Sequence, residues 1–246
     1  MRGLFTALTV ALLLGGAGEA RAQALVADLS DHLIAVTTGF VGTELLLFGA
    51  TDGDEGDIVV VVRGPAERVM VRRKERTGGI WVNRHNVAFS GVPSFYHLAS
   101  SRPLTDITSP RVRSRHQLGL DNVRFGGLRS PRSDVAAFRQ ALIRNKRRDG
   151  LYPNDAGDIS QLGNRLFRTA VVFPSNVPTG SYTVTVYLLR KGAVVSAQTT
   201  PLVVSKIGIG ARVYDFAHRN SALYGIASIF MALMAGWLAG AIFKRA

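Results

Sequence analysis

The chain has 246 residues, no cysteine, and 30 Lys and Arg against 17 Asp and Glu, a formal charge of +13. Without cysteine it has no disulfide, no thiol catalysis, no iron–sulfur cluster and no cysteine-attached haem, so core packing alone must hold the fold. Such a basic balance ordinarily points to nucleic acid, but both ends of the sequence argue for a different setting.

Residues 1–22 carry Arg2, an apolar run from Leu4 to Leu14, and a small-residue stretch closing on Ala20-Arg21-Ala22. That order of charge, apolar core and A-x-A site is the pattern of a secretory signal peptide. Cleavage is expected between Ala22 and Gln23, with Ala24 as the alternative. Export makes nucleic acid an unsuitable partner. With residues 1–22 and 244–246 set aside, 26 Lys and Arg face 16 Asp and Glu, still +10. An arginine-heavy composition accounts for that as readily as attraction to anionic lipid does.

From Asp28 to Ser100 the pattern is β. "DHLIAVTT" and "TELLLFGAT" are short β-rich runs, and "DIVVVVRGP" is a continuous apolar run suited to a strand covered on both faces. "ERVMVRRKE" alternates, and "GGIWVNRHNVAFSGVPSFYHLAS" holds two more strands closed by Gly91 and Pro93. Residues 102–150 change character and read as a helical, arginine-rich insertion. Its best helix starts near Pro131 or Asp134 and ends before Gly150. Val135, Phe138 and Leu142 form its apolar stripe and predict docking on the β domain. Arg144, Lys146, Arg147 and Arg148 gather in its last turn, where they suit the helix dipole and mark a candidate site for an anionic ligand or lipid headgroup.

After Tyr152 the pattern returns to β. "RLFRTAVVFP" predicts one strand, and "SYTVTVYLLRKGAVVSAQTTPLVVSK" a hairpin about Lys191-Gly192. "VPTGSYTVTVYL" has the form of a late strand of immunoglobulin-like sandwiches. The expected architecture is therefore mainly β: an immunoglobulin-like sandwich over residues 23–221 with the helical insertion, followed by one transmembrane helix over 222–243 and a tail at 244–246. Within that helix, Leu223 to Phe243 is 21 residues without a charge, roughly 31 Å of helix. Ser228, Ala232, Gly236 and Gly240 recur every fourth residue, a small-residue face that invites close helix–helix contact.

The search for chemistry returns little. His32, His85, His97, His116 and His218 lack metal-ligand spacing. "TDGDEGD" at 51–57 is rich in acids, but an EF-hand register from Asp52 puts Gly56 and Arg63 where ligands belong. A solvated turn fits it better. No serine is singled out beside a base and an acid, so neither an enzyme nor a cofactor is expected. Trp81, Phe89, Phe95 and Tyr96, with Asn83, Arg84, His85 and His97, suggest either an aromatic pocket or plain strand packing, and packing is favoured.

The segments "GTELLLFGA", "DIVVVVRGP", "WVNR", "GVPSFYHLASSRPL", "DGLYP", "LFRTAVVFPSNVPTGSYTVTVYLLRKG", "YDFAH" and "LYG…GWLAG" together resemble the alphaproteobacterial transmembrane family Alph_Pro_TM. The resemblance runs over nearly the whole mature chain. It implies membrane anchoring and hands over no catalytic residues. The expected protein is thus a single-pass, inner-membrane-anchored periplasmic accessory or scaffold. Its expected partners are membrane lipid and either another membrane protein or a second copy through the helix. The alternative is a binding module for an anionic ligand or headgroup.

Overall fold

The computed structural model describes residues 24–128, 132–208 and 216–243. The expected signal segment 1–22, the expected cleavage pair Ala22–Gln23 and the tail 244–246 lie outside the described residues. The chain is mainly β, as its alternating and continuous apolar runs require.

β1 (Leu25–Leu29) and β3 (Gly42–Thr51) pair antiparallel, and β11 (Leu166–Pro174) joins the other side of β3. β10 (Ser160–Leu162) closes this four-stranded sheet. The second sheet has six strands, built about β4 (Asp57–Arg63), β12 (Gly180–Arg190) and β13 (Ala193–Lys206). β2 (Leu33–Val36) runs parallel to β13, while β7 (Tyr96–Ser100) and the short β9 (Gly157–Asp158) extend the sheet beyond β4. Side chains of both sheets share one buried cluster, with Leu25, Leu45 and Phe167 from the first and Val60, Val184 and Val186 from the second.

Ile58 to Val62 are all buried, so β4 is covered on both faces as its unbroken apolar run predicts. Pairing puts Val60 beside Val186 and Val59 beside Tyr187, and the pleat sends these two pairs to opposite faces. The outer face is roofed by the insertion: α1 (Leu104–Ile107), α2 (Pro110–His116) and a 3₁₀ turn at Leu120–Asn122. The His116 ring meets Tyr187 edge-on at 5.4 Å, and Leu118 is wholly buried. Arg63 Nη2 donates to the carbonyls of His116 and Gln117, and the Tyr96 hydroxyl also donates to Gln117 O. Three hydrogen bonds from two side chains thus satisfy carbonyls at the end of α2, where the helix leaves them unpaired.

A second, smaller cluster sits beside the first. β5 (Ala66–Thr77) and β6 (Ile80–Pro93) form a long two-stranded ribbon, edged near its root by β8 (Gly126–Leu128). The two strands expected in residues 78–100 form as β6 and β7, with the break after Pro93, but β6 runs through Gly91 where an end was expected. Ser90 and Gly91 together oppose Arg68, a bulge in which Gly91 takes φ +69°, a conformation glycine enters without steric cost. The main helix of the insertion, α3 (Arg132–Arg148), docks on this root. Phe138 and Leu142 are buried against Val71, Val87, Phe89 and Val92, with Val135 packed beside them. Arg139 Nη2 donates to the carbonyls of Leu120, Asp121 and Val123, tying α3 to the 3₁₀ turn.

The hairpin about Lys191-Gly192 forms as predicted. Both residues have positive φ, 50° and 81°, the signature of the tight turn whose twist suits paired strands. The last element, α4 (Ser221–Phe243), is one 23-residue apolar helix, and none of its most apolar stretch is buried against the rest of the chain.

Candidate functional site

At the end of the β core that carries the Lys191-Gly192 turn, the β3–β4 loop, the β10–β11 turn and the β12–β13 hairpin surround an open cleft of about 630 Å³. Its walls are charged. Asp52 accepts from Arg190 Nη2, and Asp54 lies 3.8 Å from the same guanidinium. Asp57 accepts from Arg102 Nε at 2.8 Å and from Nη2 at 2.5 Å, a two-pronged pair, and from the Ser101 hydroxyl at 3.1 Å. Arg165 lies across Gly53, whose φ of +96° suits glycine; a Cβ there would stand 2.8 Å from Arg165 Nε and push that side chain aside. The hydrogen bond from Arg190 holds the Asp52 carboxyl below the usual carboxylate range. In turn, Asp57 raises the affinity of Arg102 for its proton.

Chemically this is a surface of matched charges. No histidine lines it, and the carboxylate beside the Ser101 hydroxyl, Asp57, is already held by Arg102. The acidic loop Thr51–Asp57 spends Asp52, Asp54 and Asp57 on arginines. Among the described residues no group of three or more His, Asp or Glu is placed to hold a metal.

The histidines are dispersed. His32 faces Asp28 at 3.1 Å and His85 faces Glu75 at 3.6 Å, both at exposed positions. His97 is a strand residue, in β7, and it is buried. It is 7% accessible, its Nδ1 has no hydrogen-bond partner, and burial pulls its pKa down to about 4. Gly157 makes room for it, since a Cβ at that position would lie 3.0 Å from His97 Cε1. The aromatic group separates in the same way. Phe89, Phe95 and Tyr96 are core residues, with Phe95 stacked on Phe173 at 5.0 Å. Trp81 stands out in solvent, 68% accessible, at the far end of the ribbon.

The basic cluster at the end of α3 also divides. Arg144, Arg147 and Arg148 are exposed. Lys146 is only 12% accessible at its side chain, paired with Glu67 and donating to Ser94 O. It is a structural cation, and only the three arginines remain available for an external anion.

On α4, Ser228, Ala232, Gly236 and Gly240 are all exposed, and nothing lies within 4 Å of a Cβ built at Gly236 or Gly240. The Ser228 hydroxyl donates back to Tyr224 O at 2.8 Å, so it costs the helix no unsatisfied group. Each four-residue step advances about 40° around a helix of 3.6 residues per turn. Gly236 and Gly240 therefore share a face closely, while Ser228 lies well around from them. Ser221–Gly240 is long and apolar enough to cross a membrane, with mean hydropathy 1.8.

The family model described as "Putative transmembrane protein (Alph_Pro_TM)" matches residues 24–245. The chain belongs to this family. No curated protein and no solved structure matches it. Membership and the unburied apolar α4 fit a membrane-anchored protein. For an Alph_Pro_TM member, the residues that sequence reasoning passed over are Arg102, Arg165 and Arg190. The acidic loop they neutralise is visible in the sequence. Its arginine partners come from as far as 138 positions away, and no local spacing announces them.

Proposed function

We propose that this protein is a single-pass accessory or scaffold subunit of a bacterial inner-membrane complex, with its β domain in the periplasm and no catalytic activity of its own. The observation that carries the reading is α4. It is a membrane-length apolar helix whose most apolar stretch has nothing of the described chain packed on it, joined to a core with a cleft lined by paired charges. We take the β core as an immunoglobulin-like sandwich. In support, β2 leaves the first sheet's neighbourhood to run parallel to β13, and the Tyr182 hydroxyl donates to Pro178 O at 2.6 Å, four residues upstream. That contact has the form of the tyrosine corner of such domains. Sandwiches of this kind present loops at their two ends for docking, and the charged cleft is one such end.

The test is purification of the full chain in mild detergent, with wild type and Gly236→Leu compared for co-purifying membrane proteins and for self-association. A defined partner or dimer that Gly236→Leu removes supports the reading. A clean monomer, with the variant indistinguishable in cells, overturns it.

The exposed Arg144, Arg147 and Arg148 favour a second reading, a binding module for an anionic ligand or lipid headgroup. Equal binding to neutral and anionic vesicles, by wild type and by a triple Arg→Gln variant, ends it.

A further inference from the structure

The β5–β6 ribbon is anchored at one end only. Its root is buried through Val71, Val87, Phe89 and Val92. Beyond Val71 every side chain from Arg72 to Asn86 is exposed, except the half-buried Glu75. A two-stranded hairpin with neither face covered is marginal in water by itself, and this one ends in large apolar groups. Ile80 and Trp81 are each 68% accessible, and Val82 is 41% accessible. Around them the charge is one-sided, with Arg72, Arg73, Lys74, Arg76 and Arg84 against Glu75 alone. Trp81 is paired across the strands with Arg76, and Lys74 follows two positions along on the same face. Arg73 is turned back over the Phe138 ring at 4.9 Å and belongs to the root.

The topology puts this arm at the tethered end of the domain. β13 leaves the second sheet at Lys206, beside the start of β12, where Gly180 is paired with Val204. β4 is antiparallel to β12 and ends there too, with Arg63 paired to Thr183. The chain then passes Gly64-Pro65 and enters β5. The contact is close: a Cβ at Gly180 would lie 2.8 Å from Pro65 Cγ. So the ribbon springs from the same edge by which the chain departs for α4. From Ala66 to Thr77 the ribbon reaches roughly 36 Å. The connection from Ile207 to Asn220, helical from Phe216, spans at most about 38 Å. The two reaches match.

We infer that the tip of the β5–β6 ribbon is a second membrane contact, with Trp81 and Ile80 seated at the interface of an anionic phospholipid surface and Lys74, Arg76 and Arg84 on its headgroups. Tryptophan favours the headgroup level, and basic side chains beside it are drawn to anionic lipid. A weak contact of this kind holds when a second anchor keeps it at the surface. The proposal rests on α4 spanning the bilayer, which supplies that anchor. The cover that the bare ribbon lacks is then the bilayer itself.

The chain has two tryptophans, Trp81 and Trp237, so each can be watched alone. The full-length protein is reconstituted as Trp237→Phe, and separately as Trp81→Phe, into vesicles of phosphatidylcholine with or without phosphatidylglycerol and with lipids brominated near the headgroup or deep in the chains. In the anionic vesicles Trp81 should emit to the blue of its emission in water and be quenched by shallow bromines. Both signs should vanish in pure phosphatidylcholine and in a Lys74→Glu/Arg76→Glu variant that keeps its circular dichroism. Water-like, unquenched Trp81 in anionic vesicles, with Trp237 quenched as an inserted span requires, overturns the contact and leaves the span standing. Equal quenching of Trp81 in both lipids overturns the role of the headgroups. Unquenched Trp237 overturns the span itself. A cross-link in cells from Ile80→Cys to one membrane protein, with Trp81 water-like in lipid, assigns the tip to a protein and also overturns the proposal.

Discussion

The ammonium of Lys146, in the last turn of α3, rests on the carboxylate of Glu67 at the root of the β5–β6 ribbon. The pair crosses the seam between the insertion and the β ribbon, and the same ammonium donates to Ser94 O at 3.3 Å. Truncating one partner leaves the other partly buried and unpaired. Lys146→Ala should therefore lower unfolding free energy by about 1–2 kcal/mol, read by thermal or denaturant unfolding of the detergent-solubilised chain. Arg147→Ala, at the next residue and exposed, should change it by less than about 0.5 kcal/mol. Comparable losses from both would remove the distinction drawn between them.

Phe138 is what holds the insertion against the ribbon. It is buried with Leu142 among Val71, Val87, Phe89 and Val92, and the Arg73 guanidinium covers its ring. Phe138→Ala should cost about 3–5 kcal/mol locally. Because the second cluster is small, that is enough to loosen the ribbon while the main core stays folded. Limited trypsin digestion should then cut at Arg72 to Arg84 much faster than in wild type. An unchanged cleavage rate would show that α3 does not steady the ribbon.

Acid should weaken the fold through His97. Burial lowers its pKa to about 4, against about 6.5 in an unfolded chain. Between those values the unfolded state binds the extra proton, so stability rises with pH across the window. The contribution is complete above about pH 6.5 and is progressively lost as pH falls toward 4. It amounts to roughly 3 kcal/mol at most. Chemical denaturation of wild type and His97→Gln at pH 7.5 and pH 4.5 isolates it, since the variant should lose less between the two. Parallel loss in both proteins would place the acid sensitivity elsewhere.

Gly49 lies in the middle of β3, opposite Phe167. A Cβ there would stand 2.4 Å from Phe167 Cζ and 2.5 Å from Val26 O. The aromatic ring already occupies that space. Gly49→Ala should destabilise by about 2–3 kcal/mol through forced displacement of ring and backbone, measured as a fall in Tm. Gly39, where a Cβ would meet nothing within 4 Å, is the control and should accept alanine with little change.

Much of this fold was legible because its signals are local. The run Ile58–Val62, the alternation at Tyr182–Leu188, the Lys191-Gly192 turn and the apolar stripe of α3 each announce an element from a few neighbouring residues. The pairing between elements was not. Asp52 meets Arg190, and Asp57 meets Arg102, only once the sheets assemble. Lys146 looked like its arginine neighbours because nothing within the helix points to Glu67. His97 read as an ordinary strand residue because the space that admits it comes from Gly157, sixty positions on.

β12 and β13 join the two working ends of the domain. Arg190 lies in the charged cleft, while Gly180 and Lys206 lie where the chain leaves the core. Ten residue steps separate the two ends of β12, roughly 33 Å. A partner held in the cleft would therefore pull on the tether along the length of β13. The hydrogen bonds to β12 lie across that direction, so the rungs bear the load side by side and are not opened one after another. On the proposed function, tension between a partner in the cleft and the membrane would meet the protein along its most resistant axis.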